Sequence, residues 1–168
     1  MPEAIALILM GVAGSGKTAV GSRVAKRLGW VFLDADDFHP PANVEKMKHG
    51  IPLDDNDRAP WLHRLHSELR RHINEGHSVL LACSALKDSY RAVLRDHLPE
   101  VRFIFLDVDR STLLERLQSR QAHFFPRELL DSQLATLEAP HDAFVVNANL
   151  PLEEVVDSVV AAISTGKV

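Results

Sequence analysis

The chain has 168 residues, of which 46% are hydrophobic, with a formal net charge of -4 and an isoelectric point near 6.1. That length suits one domain with a sizeable core, and no second domain is expected. The acidic balance lacks concentrated Lys and Arg, so nucleic acid and anionic membranes are excluded as general partners and a small soluble partner is favoured. The single cysteine, Cys83, excludes an internal disulfide framework and fits a cytosolic redox setting.

The opening apolar run, residues 4–10, has no basic segment before it and is far too short to span a bilayer. It reads as a strand buried on both faces of a parallel sheet. Directly after it comes Gly11-Val12-Ala13-Gly14-Ser15-Gly16-Lys17-Thr18, which fits the pattern G-x-x-x-x-G-K-[ST]. Small residues let successive backbone N–H groups turn inward around phosphate oxygens, Lys17 brings a cation to the terminal phosphates, and Thr18 offers a hydroxyl to Mg2+. Val20, Val24 and Leu28 then mark one helical face, which Gly29 closes.

Residues 30–33 read as a second strand running into the acids Asp34, Asp36 and Asp37. Ligands gather beyond the carboxyl ends of strands in an open parallel sheet, so these acids are expected to face the phosphate loop. Residues 42–58 are polar and read as a short helix followed by a substrate-covering loop. A helix follows on Leu62, Leu65, Leu69 and Ile73, ended by Gly76. Residues 78–83 form a third strand, 90–97 a helix, and 101–106 a fourth strand ending at Asp107. Thr112 with Glu115 is expected to form a capping box on the next helix. Between Arg116 and Arg127 the apolar period breaks, which marks a lid. Helix 128–137, strand 143–146 and a final helix on Leu152, Val155, Val156, Val159, Val160 and Ile163 complete an α/β pattern with a parallel sheet.

Phosphoryl transfer needs an acceptor hydroxyl in line with the terminal phosphate and charge neutralisation around it. Asp34 and Asp36 are placed for this, one toward a metal and the other as proton acceptor, and Asp107 is a rival for the metal. Arg58 can fork onto a carboxylate substrate or pair with its acidic neighbours. Lys46, Lys87 and Arg91 carry the same two readings. Arg116 and Arg120, four residues apart, could serve one anion or a base as the lid closes. The nine histidines form no H-E-x-x-H pattern, so no zinc site is expected; His39 and His123 stand out only because each falls in a site segment.

Taken together, these segments resemble the gluconate kinases among the small P-loop kinases. The resemblance is carried by the loop 11–18, by Asp36-Asp37-Phe38-His39-Pro40 with Asn43, Lys46 and Met47, by the stretch 50–62, by Cys83-Ser84-Ala85-Leu86-Lys87 with Tyr90-Arg91, and by His123-Phe124-Phe125 and the stretch 132–138. It implies a three-layer α/β/α P-loop kinase with a five-stranded parallel sheet in the order 2-3-1-4-5 and a lid. It also implies phosphorylation of D-gluconate at the 6-hydroxyl with ATP and Mg2+, in a cytoplasmic enzyme that is often a dimer. By this resemblance the loop 11–18, Arg116 and Arg120 serve the nucleotide, and Thr18 and Asp34 the metal. Lys17, Asp36 and Arg58 would be catalytic, with Asp36, His39, Lys46, Arg58, Lys87, Arg91 and His123 toward the sugar acid. Ala35 stands where Gly is expected. A nucleotide-dependent switch and a kinase for another acid, such as shikimate, are the alternatives.

Overall fold

Five strands line up in parallel in the order β2-β3-β1-β4-β5. The computed structural model describes residues 3–119 and 127–168. The strands are β1 (Ala6–Met10), β2 (Val31–Asp34), β3 (Val79–Ala82), β4 (Val101–Asp107) and β5 (Phe144–Asn147). The helices are α1 (Lys17–Leu28), α2 (Pro41–Lys48), α3 (Asp55–Asn74), α4 (Asp88–Arg95), α5 (Arg110–Gln118), α6 (Arg127–Thr136) and α7 (Leu152–Ser164), with a 3-10 turn at Ala35–Phe38.

The continuous apolar run of β1 is explained by its central position, since every one of its residues is buried. Its side chains alternate between two cores. Leu7 and Leu9 join α1, α5 and α7 on one face, while Ala6, Ile8 and Met10 join α3 and α4 on the other. Helices on both faces give the three-layer arrangement that the resemblance implies. Gly21 is demanded by close packing: a Cβ there would lie 2.8 Å from Phe32 and 2.9 Å from Leu80, so α1 could not approach the sheet so closely. Among the described residues no helix is long and apolar enough to cross a membrane.

Two expectations need correcting. The loop expected to follow the short helix does not run on to Arg58, because α3 begins at Asp55. Asp54 accepts from the Asp57 N–H at 2.8 Å and Asp57 accepts from the Asp54 N–H at 3.0 Å, a reciprocal cap that starts the helix. Acids in that first turn also suit the helix dipole. Thr112 caps nothing, since α5 starts two residues earlier behind Asp109, whose N–H donates to Asn149 at 2.8 Å. Arg116, at which the expected lid begins, lies in α5. Arg120, His123, Phe124 and Phe125 lie outside the described residues.

Candidate active site

The phosphate loop leaves the carboxyl end of β1, the central strand, and turns into α1 through Gly16, which sits at φ 97° as the residue before the helix. A side chain there would be strained, and glycine lets the first N–H groups of α1 point into the loop. The Lys17 Nζ donates to the carbonyls of Gly11 and Val12 at 2.9 and 3.1 Å, so it lies folded along the loop. Ser15 is 1% exposed, and its hydroxyl has no hydrogen-bond partner among the described residues. From α6, the Gln133 side-chain oxygen accepts from the Ala13 N–H at 2.8 Å. Gln133 falls in the stretch 132–138 that carries the family resemblance, but its place against the loop comes from the fold, which brings α6 there.

Across the crevice, Asp34 ends β2 and has two tasks. Its Oδ2 accepts from the Thr18 hydroxyl at 2.9 Å, and its Oδ1 accepts from the Asp36 N–H at 3.0 Å, capping the 3-10 turn. It is therefore Asp34, not Asp107, that reaches Thr18. Asp36 is exposed as a whole residue, yet its carboxyl faces into the crevice. Partial burial, reinforced by the Asp34 charge, pushes its pKa above the ordinary carboxylate value, while His39 and Lys17 pull the other way.

His39 stacks on Trp61 with ring centroids 4.3 Å apart and planes 11° from parallel. Trp61 in turn donates its indole N–H to the Ala35 carbonyl at 2.8 Å, so one buried side chain steadies both the turn and the imidazole. Asn43 Nδ2 donates to His39 Nδ1 at 3.2 Å and to the Asp57 carbonyl at 2.9 Å. Burial and the nearby Arg58 charge hold the His39 pKa below its usual value, against the pull of Asp36. With Nδ1 accepting from Asn43, the neutral imidazole carries its proton on Nε2.

The cationic candidates separate into two groups. Arg58 and Lys87 stand 5.6 and 5.5 Å from the Tyr90 ring centroid and share Asp55 as an acidic neighbour. Lys46 is paired with both Asp57 oxygens at 2.9 Å, tying α2 to the start of α3. Arg91 is 3% exposed and donates to the carbonyls of Ala85 at 2.6 Å and Glu138 at 2.8 Å, and to Asp88. Ala85 has φ 45°, a costly conformation for a residue with a Cβ, and Arg91 holds its carbonyl. In this conformation Lys46 and Arg91 brace the walls. Arg116 donates to Ala148 at 2.6 Å and Gly14 at 3.4 Å, linking α5 to the phosphate loop.

Two cavities meet at Gly14 and Gly16. One, about 470 Å³, holds Lys17, Thr18, Asp34, Asp36 and Cys83; the other, about 580 Å³, lies toward Arg116 and Asn149. Cys83 is buried with its pKa pushed up to about 12, chiefly by burial, so it is a neutral wall group and not a nucleophile. A larger hollow of about 670 Å³ sits by Arg95, Phe103 and Phe144, beside the starts of β4 and β5, and includes none of these groups. His72, Glu75 and His77 bring possible metal-ligand atoms within 4.8 Å of one another, but Arg71 already donates to His72 at 3.1 Å and to Glu75 at 3.1 Å. That cluster reads as a salt-bridged helix end.

A parallel sheet whose carboxyl edge opens on a phosphate loop, with a carboxylate of raised pKa facing the lysine of that loop, is arranged to move a phosphoryl group onto a small acceptor. The class is that of the small P-loop kinases. A family model described as an AAA domain matches residues 7–140. The gluconokinase of Gluconobacter oxydans is 55% identical, over 81% of this chain and 76% of its own. The thermoresistant gluconokinase of Escherichia coli is 44% identical, over 95% of this chain and 94% of its own. The crystal structure of a gluconokinase from Sinorhizobium meliloti superposes with a TM-score of 0.87 at 40% identity, covering 98% of this chain and 94% of the other. The chain belongs to the gluconokinase family.

Proposed function

We propose that this protein transfers the terminal phosphoryl group of ATP to the 6-hydroxyl of D-gluconate, giving 6-phospho-D-gluconate and ADP. The observation that carries this reading is the placing of Lys17 and Asp36 in one cavity, close enough that the charge of each acts on the other. The loop binds the phosphates through its backbone N–H groups, and Lys17 leaves the Gly11 and Val12 carbonyls to meet the negative charge of the transferring group. Asp36 orients the acceptor hydroxyl and takes its proton, a task helped by a pKa above that of an ordinary carboxylate. His39 donates from Nε2 to a neighbouring hydroxyl. Arg58 and Lys87 receive the carboxylate at the far end of the acceptor.

The Thr18 hydroxyl and the Asp34 carboxylate, 2.9 Å apart, are hard oxygen donors beside the loop and suit Mg2+. When bound, Mg2+ would neutralise phosphate charge. Arg116 and the cavity next to it take the base and ribose of the nucleotide, while Lys46 and Arg91 act on the acceptor by holding its walls. Arg120 and His123 extend the same reading to the segment after α5. A cytoplasmic homodimer is part of it too, supported by the family resemblance alone.

A coupled ADP-release assay tests the reading, run over sugar acids and shikimate with and without Mg2+. Mg2+-dependent release that requires D-gluconate is expected, with the phosphate located on O6 by 31P NMR. Release that needs no acceptor would point to a nucleotide switch, and a preference for shikimate to another acid kinase.

A further inference from the structure

The two cations assigned above to the acceptor carboxylate already have a carboxylate of the chain's own beside them. Asp55 opens α3, and its side chain is 66% exposed, yet three donors converge on it. Tyr90 Oη donates to Oδ1 at 2.7 Å, an Arg58 terminal nitrogen lies 3.5 Å from Oδ1, and Lys87 Nζ lies 3.7 Å from Oδ2. Arg58 comes from the same helix, three residues on. Lys87 and Tyr90 come from the start of α4, so the cluster closes a gap between two elements. The donors hold the Asp55 carboxyl below its ordinary pKa, the Tyr90 hydroxyl foremost.

Two cations and a hydroxyl around one point are the donor set that a carboxylate needs. The set also connects to the reacting end, because the Arg58 charge acts on His39, which stacks on the Trp61 that anchors the turn carrying Asp36. The ion pairs of Asp55, 3.5 Å to Arg58 and 3.7 Å to Lys87, are long and the carboxylate is exposed, unlike the contacts of Arg91, so another carboxylate can compete for the same donors.

We propose that Asp55 is a built-in stand-in for the carboxylate of the acceptor: it occupies Tyr90, Arg58 and Lys87 until a sugar acid displaces it. This rests on the reading of the protein as a sugar-acid kinase. An incoming carboxylate regains the donors that Asp55 gives up, whereas a neutral polyol has no charge with which to compete for them. Asp55 thereby raises the Michaelis constant for the acid and excludes uncharged sugars, and Tyr90 becomes a specificity residue.

The test is Asp55→Asn, which keeps the shape and removes the charge. The Michaelis constant for D-gluconate should fall about two- to fivefold, the range spanned by exposed ion pairs. The constant for ATP serves as the internal control. An unchanged or raised constant for gluconate, in a variant that melts like wild type, would overturn the proposal. Because the variant could misfold, the wild-type enzyme is also crystallised with D-gluconate. A gluconate carboxylate on Tyr90, with Asp55 turned away, is expected; an intact Tyr90–Asp55 bond beside bound gluconate overturns the idea. Wild-type enzyme without any gluconate-dependent ADP release would instead bring down the functional reading, and this proposal with it.

Discussion

The Thr18 hydroxyl donates to Asp34 Oδ2 at 2.9 Å, joining the first turn of α1 to the end of β2 across the intervening strand β3. Asp34→Asn tests what this bond is for. Asparagine caps a helix about as well as aspartate, so the 3-10 turn should survive and the melting temperature should change little. The loss of a charged oxygen should raise the Mg2+ concentration needed for half-maximal ADP release. An unchanged Mg2+ dependence would assign the metal to another acid, with Asp107 next in line.

Lys17→Ala should lower kcat by at least about 100-fold, or about 3 kcal/mol of transition-state stabilisation, since a preorganised donor to the transferring group is lost. Its contacts are to loop carbonyls at the surface of the crevice, so urea unfolding should change little. Turnover close to wild type would show that the loop serves binding without catalysis.

Asp36→Asn should lower kcat by about 100- to 10,000-fold while nucleotide binding persists. Stability should move the other way. The raised pKa means that the folded state holds a proton which the unfolded chain has already lost, so between the unfolded and folded pKa values stability falls as pH rises. Above that window Asp36 is a net burden on the fold. Thermal melts against pH should therefore show Asp36→Asn more stable than wild type near neutrality, with the gap closing as acid protonates Asp36.

Trp61→Phe keeps a ring against His39 but leaves the Ala35 carbonyl without its indole partner. Chemical denaturation should report a loss of about 1–3 kcal/mol, and the Michaelis constant for gluconate should rise as the turn carrying Asp36 loosens. A stability loss without any kinetic change would confine Trp61 to the core.

Arg91→Ala distinguishes a brace from a substrate contact. Three acceptors lose their donor, the Ala85, Glu138 and Asp88 oxygens, so a stability loss of about 3–5 kcal/mol is expected. A variant that folds with wild-type stability, and whose only defect is a raised Michaelis constant for gluconate, would return Arg91 to the acceptor site.

Much of this was legible in the chain itself. The phosphate loop is local chemistry, eight residues whose sizes and charges specify a cradle, and the apolar period of the strands and helices follows from which faces must leave water. Where reading the sequence failed, the cause was a competing local signal. The acids at 54–57 read as a loop because aspartate favours turns, but the same residues cap a helix when Asp54 and Asp57 face each other. At α5 the reverse occurred: Thr112 and Glu115 have the spacing of a cap, and a tertiary bond from Asp109 to Asn149 sets the start of the helix instead.

The sequence by itself determined the donor chemistry and, through its resemblance to the gluconate kinases, the acceptor. Only the tertiary structure decided which charges are available to act. Asp34 and not Asp107 meets Thr18, Lys46 holds Asp57, Arg91 holds the Ala85 carbonyl, and Arg58 and Lys87 gather with Tyr90 around Asp55. The physical reason is that a cation or carboxylate is defined by its partners, and several of these partners lie 11 to 47 residues away along the chain. Local pattern carries no record of such pairings until the sheet and helices have brought them together.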